Sequence, residues 1–201
     1  MQFLSLRKTL SILVIFGLFA GLSATAVAED KKDDVETLKV DPVHSNVLFR
    51  VKHFDAGYFY GEFVDKKGTI KFDEDNPEKS EINLTVDAKS INTNNKKRDD
   101  HLKGPDFFNV KQHPEIKFES KKVKKSGDDL KVTGDLTLHG KTKEVTVDVE
   151  QTGSGKDPEG KFRRGFHTEF NIDRSDFGMD YMTKAASDEV KLIIALEAVR
   201  Q

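Results

Sequence analysis

The sequence predicts an all-β fold: eight antiparallel strands closed into an up-and-down barrel, with one short helical loop segment inside residues 89–113. Three observations predict it. Apolar and polar residues alternate along most of the chain, as strands with one dry and one wet face require. The links between alternating runs are short and rich in Gly and Asp, which supply hairpin geometries. No segment carries a long apolar stripe at helical spacing.

Taken in order, residues 38–54 place Val47, Phe49, Val51 and His53 on one face. Residues 57–73 carry Phe59, Gly61 and Phe63, then Gly68, Ile70 and Phe72. Their dry parity switches near Asp65 to Lys67, so a bulge or break is expected there. Ile82, Leu84, Val86 and Ala88 make the next dry face. Beyond a polar crossing come Ile116, Phe118 and Ser120, then Leu130 to Leu138 at every second residue, then Val145, Val147 and Val149. Residues 160–172 present Phe162, Phe166, Phe170 and Ile172, and residues 188–199 present Val190 to Ala198 at every second residue.

Turns are expected at Asp55 to Gly57, Asp75 to Lys79, Ser126 to Asp128, Gly140-Lys141 and Gly153 to Gly160. Residues 89–113 are too polar and irregular for a strand. Arg98 to Lys103 fits a helical turn ended by Gly104-Pro105. Residues 173–187 form a second irregular crossing. Regular polar alternation argues against buried parallel strands, and hairpin links favour a closed barrel over a two-sheet sandwich. A lumen of eight strands either fills with side chains or admits one small ligand, and periodicity does not separate the two.

The N-terminus reads as an export signal. Arg7 and Lys8 precede an apolar run from Leu10 to Ala20, and Ala26-Val27-Ala28 fits a small-x-small cleavage site before Glu29. Residues 1–28 are therefore expected to be removed, residues 29–37 to form a flexible mature N-terminus, and residues 38–201 to form a single barrel domain. The apolar run is short for a bilayer span, so no stable membrane insertion is expected after cleavage. The expected location is the periplasm or the exterior.

Without Arg7 and Lys8, 31 basic residues face 35 acidic ones, and both signs are interspersed. That balance argues against nucleic acid as a partner. The chain has no Cys, which excludes thiol redox chemistry, Cys-based metal sites and iron–sulfur clusters. It has no Trp, and 12 of its 15 Phe lie beyond residue 28. Rings without a polar handle suit packing or an apolar cavity more than sugar recognition.

Several segments together resemble the YceI-like family of exported proteins. They are Val40 to Ser45 (VDPVHS) with Phe49 to His53 (FRVKH), Gly61-Glu62-Phe63, and Arg98 to Phe108 (RDDHLKGPDFF). Pro114 to Ser120 (PEIKFES), Gly134 to Lys143 (GDLTLHGKTK) and Ile172 to Met179 (IDRSDFGM) complete the set. The resemblance covers about residues 38–198. It implies a lipocalin-like barrel that holds a polyisoprenoid, an isoprenoid quinone or another lipid-like molecule. It also implies a periplasmic or secreted setting and, in some members, a homodimer. It implies no settled catalytic mechanism.

The candidate ligand-binding residues are mostly aromatic. Phe49, Phe63, Phe118, Phe166 and Phe170 fall on dry faces, as does Leu136. Phe107 and Phe108 stand side by side in the long crossing, where two rings need cover; they either cap the barrel or plug it. Phe177 lies in the second crossing. His53 shares parity with Val47, Phe49 and Val51, and an inward His needs a partner from protein, water or a ligand headgroup. Arg164 shares the dry parity of its strand, so its head is expected either to pair with a carboxylate or to meet an anionic headgroup.

No catalytic residue, metal ligand or cofactor is assigned. The six His form neither HxxxH nor HExxH, and there is no GxSxG. The primary reading is extracytoplasmic binding, transport or storage of a long apolar chain. One alternative is an enzyme acting on that lipid or a quinone head, with His53 as the first candidate acid or base. The other is a filled barrel that serves as a non-catalytic protein-interaction or stress-related structural module.

Overall fold

A computed structural model describes residues 35–201. The expected signal peptide lies outside the described residues, and so does most of the 29–37 segment. The strands are β1 (Glu36–Val40), β2 (Asn46–His53), β3 (Gly57–Phe63), β4 (Lys66–Phe72), β5 (Glu81–Asp87) and β6 (Ile91–Asn92). After helix α1 (Lys96–Leu102) come β7 (Glu115–Ser126), β8 (Asp129–Leu138), β9 (Lys141–Lys156), β10 (Phe162–Asp173) and β11 (Ala186–Arg200).

These are the eight expected strands, three of them in two pieces: β1 with β2, β3 with β4, and β5 with β6. β6 corrects the reading of residues 89–113 as strand-free, since Ile91 and Asn92 pair with Phe63 and Glu62. Each pairs antiparallel with the next, and β11 closes the ring by pairing β2 through Ala195 and β1 from Ala198. An all-β, eight-stranded up-and-down barrel is therefore what the sequence specifies.

The breaks have local causes. Between β1 and β2, Pro42 has no N–H to give a ladder. Buried Ser45 fills the gap: its hydroxyl donates to Glu197 O at 3.2 Å and accepts from Glu197 N at 3.0 Å. The expected parity switch falls between β3 and β4: odd Phe63 and even Ile70 are both buried, while Val64 is exposed. The β8–β9 turn uses His139 and Gly140, at φ 50° and 72°, one residue earlier than expected. Two positive φ values in a two-residue loop suit the right-handed twist of a hairpin.

Helix α1 begins two residues before the expected turn. Asn95 caps it, accepting from Arg98 N at 3.0 Å, which satisfies one of the free N–H groups of a helix start.

One end of the barrel is solid. Leu38, Phe72, Val123, Leu130 and Ala198 are at most 1 % exposed, and they form a floor near the chain terminus. Each of the four larger ones, Leu38, Phe72, Val123 and Leu130, contributes roughly 1.5–3 kcal/mol by leaving water. A charged rim surrounds the floor. Arg163 bonds Asp41 at 2.8 Å, Glu197 at 2.6 Å and Asp157 at 3.0 Å. Arg164 lies over the Phe72 ring at 4.5 Å and bonds Glu74 at 2.9 Å. It thus pairs with a carboxylate, the first of its two expected roles.

Candidate functional site

Above the floor the interior is not packed solid. A cavity of about 170 Å³ runs up to the long crossing, and 32 residues from the strands and both crossings line it. Its lining runs along β11 from Ala186 to Leu196 and along β10 from Phe166 to Ile172, so this small volume is drawn out into a long narrow slot. Phe118, Phe170, Leu192 and Ile194 point into it and keep partial exposure, because empty space lies before them.

The wall is apolar apart from Lys117, His167, Thr168 and Arg174, and most of their polar atoms are already engaged. Lys117 pairs with Glu115 at 2.8 Å, and the Thr168 hydroxyl donates to Asp148 O at 2.6 Å. His167 sits between Glu150 and Glu169 at 3.6 and 3.8 Å. Arg174 donates to the carbonyls of Met179, Tyr181, Ala186 and Ser187 at 2.6 to 3.0 Å. Burial lowers its pKa, and the charges of Asp188 and Asp180 oppose that shift; an arginine stays protonated regardless.

Both crossings roof the slot. In the first, Phe108 meets Phe63 edge-on at 5.5 Å, and Phe63 lies 5.7 Å from Phe49. Phe107 packs edge-on against Tyr181 at 5.5 Å and His101 at 5.1 Å. The helix is tied down by Arg98, which donates to Thr93 Oγ1 at 2.7 Å and Thr93 O at 2.6 Å. Asp99 accepts from Thr93 N at 2.9 Å. Asp100 instead pairs with Lys96, and Asp106 with His101. In the second crossing Arg174 gathers the chain, and Phe177 and Met179 join Leu136 and Leu138 in a separate buried cluster.

The wall is uneven. β9 and β10 pair from Phe162–Lys156 to His167–Glu150, and no ladder pair joins them beyond that point among the described residues. The second crossing spans the resulting seam through Lys143–Asp176 at 2.8 Å and the Phe177 cluster. Side chains rather than a backbone ladder close this part of the wall.

Eight of the ten candidate residues line the slot: Phe49, Phe63, Phe107, Phe108, Phe118, Leu136, Phe166 and Phe170. His53 does not. Its parity is inward, but it is the last residue of β2 and is exposed, with its ring against Phe54 at 4.3 Å. Phe177 does not reach the slot either; it is 2 % exposed within its own cluster. Much of the wall is aliphatic instead: Val147, Val149, Leu192 and Ile194, with Leu102 from α1. Dry parity is the signal for the four strand residues; Leu102, on α1, carries none.

One group of possible metal ligands occurs among the described residues, formed by Asp41, His44 and Glu197. Arg163 already bonds two of the three. The hydrogen bonds from His44 and Arg163 hold the Asp41 carboxyl well below the usual carboxylate range.

The YceI-like domain profile matches residues 38–198. The chain is 44% identical over 179 residues to Protein YceI of Escherichia coli, covering 89% of this chain and 91% of that protein. The crystal structure of BcnA from Burkholderia cenocepacia superposes with a TM-score of 0.73 at 28% identity, over 79% of this chain and 98% of that one. A polyisoprenoid binding domain from Saccharophagus degradans, implicated in plant cell wall breakdown, shares the fold. Its TM-score is 0.63 at 15% identity, over 83% of this chain and 99% of that one. With the barrel, the roofed apolar slot and these matches together, the chain belongs to the YceI-like domain family.

Proposed function

We propose that the protein binds one long apolar chain in the slot and carries or stores it outside the cytoplasm. The ligand class is a polyisoprenoid, an isoprenoid quinone or a fatty-acid-like amphiphile. One observation carries this reading: the slot is long, narrow and walled by apolar groups, while the polar side chains at its wall are held by the protein itself. A headgroup would find little to bond there, but a hydrocarbon chain loses nothing by entering. Each methylene it buries contributes about 0.8 kcal/mol, so chain length sets affinity.

The polyisoprenoid binding domain from Saccharophagus degradans has the same fold, which supports this ligand class. The extracytoplasmic setting rests on the signal sequence read in residues 1–28. Binding without chemistry fits the wall: His53, the first candidate acid or base, is exposed and lies outside the slot, and the histidine at the wall, His167, sits between Glu150 and Glu169.

The test is organic extraction of protein made with its own signal sequence in an exporting bacterial host, followed by mass spectrometry. The expected result is one repeatable long-chain species near one per protein. Protein that extracts clean, and that takes up no chain when one is offered, would refute the reading.

A further inference from the structure

We infer that Gly61 sets the bore of the slot and so the cross-section of the chain it accepts. The inference rests on the chain-holding reading above and adds the residue that sets the width of the slot.

Gly61 lies inside β3, directly across the ladder from Phe49. It is buried, with Phe59 and Phe63 on the same face. Its φ is not positive, so no turn geometry asks for glycine, and glycine weakens a strand interior. The reason for it is space. A Cβ at residue 61 would lie 2.3 Å from Phe49 Cζ, 2.7 Å from Phe49 Cε1 and 2.8 Å from Thr93 Cγ2. The tip of the Phe49 ring occupies the place a side chain would fill. The ring is therefore folded over the β3 backbone, against the wall.

Any larger residue must displace that ring. Phe63 stands 5.7 Å away and is itself backed by Phe108, and Thr93 crowds the same point. The free direction is the lumen. In a slot this narrow, a ring moved inward removes width, not length. A straight alkyl chain still passes such a point, whereas a chain with methyl branches meets it at every branch. Gly61 thus keeps the slot wide at this level, and that width decides whether a branched chain passes.

Gly134 offers a weaker version of the same arrangement. Its Cβ would meet Phe118 Cζ at 2.6 Å, but also Glu119 O at 2.5 Å. Replacing it would strain the sheet and would not report on the bore alone.

The test compares wild type, Gly61→Ala and Gly61→Ala with Phe49→Leu in the mature chain. Each is titrated calorimetrically with farnesol and with dodecan-1-ol, which share a main-chain length and differ in methyl branching. Gly61→Ala is expected to weaken farnesol by about tenfold more than dodecan-1-ol, the scale of a tightly overpacked site. The added Phe49→Leu, which removes the clashing ring tip, is expected to restore farnesol.

If wild type binds both alcohols and Gly61→Ala changes neither, or both alike, the bore inference fails while the slot reading stands. If wild type binds neither, the slot reading itself fails. Should Gly61→Ala not fold, a folded double variant that binds farnesol supports the inference, and an unfolded one overturns it.

Discussion

At the terminal end of the barrel, Leu38, Phe72, Val123, Leu130 and Ala198 meet without leaving room. Arg163 and Arg164 lock the rim there to carboxylates on separate segments. At the opposite end the same strands pair less. β3 meets β6 over only two residues, and β9 parts from β10 beyond His167. Rings from two crossings cover the space that results. The difference teaches where a barrel keeps its stability and where it keeps its adjustability. Longer ladders and a dry floor fix one end; side-chain contacts, which shift without breaking backbone bonds, roof the other.

The sharpest way to break this contrast is to delete a ring from each end. Phe72→Ala is expected to cost about 3–5 kcal/mol in urea unfolding, as a floor ring that leaves a new cavity behind. Phe170→Ala is expected to cost about half as much, since that ring already faces the slot. Equal losses would show that the two ends are packed alike.

Next in size is the pin of the second crossing. Arg174→Met leaves four carbonyls without their donor and is expected to cost about 2–3 kcal/mol. It should also raise hydrogen exchange across residues 174–185 more than at the floor; uniform exchange would argue against a locally held roof.

A smaller effect on folding is expected from Phe107→Ala: within about 1 kcal/mol of wild type, yet with several-fold faster release of a fluorescent chain probe. Unchanged release would remove Phe107 from the roof.

The smallest effect concerns pH at the charged rim. The Asp41 carboxyl is held below its ordinary 3.8 by His44 first and Arg163 second. A depressed carboxyl adds stability that is present above its unfolded pKa and lost as pH falls below it. Wild-type melting temperature is therefore expected to drop below pH 3.8 more steeply than that of Asp41→Asn. Parallel curves would show that Asp41 contributes nothing to the seal.

The barrel was legible because its dry faces alternate over long stretches and its turns are short. Parity even located the β3–β4 break, where Phe63 and Ile70 disagree. The β1–β2 break was less legible, since it depends on Ser45 meeting Glu197, 152 residues away. Aromatic content found much of the slot wall but overweighted rings: Val147 and Leu192 line it as well, and nothing in composition marks an aliphatic as wall rather than core. His53 shows the limit of parity, which gives the face of a strand but not whether the residue reaches past the barrel end. Phe177 shows another, because a crossing has no period to read. The β9–β10 seam was invisible for the same reason: pairing between strands is settled in space.

The central claim is that a chain lies in the slot and not on the floor or the rim. Intermolecular NOEs from the protons of a bound alkyl chain to methyl-labelled protein test it most directly. The account predicts cross-peaks to Val147, Leu192 and Ile194, and none to Val123 or Leu130. Cross-peaks confined to exposed residues such as Met182, with the slot methyls silent, would contradict it.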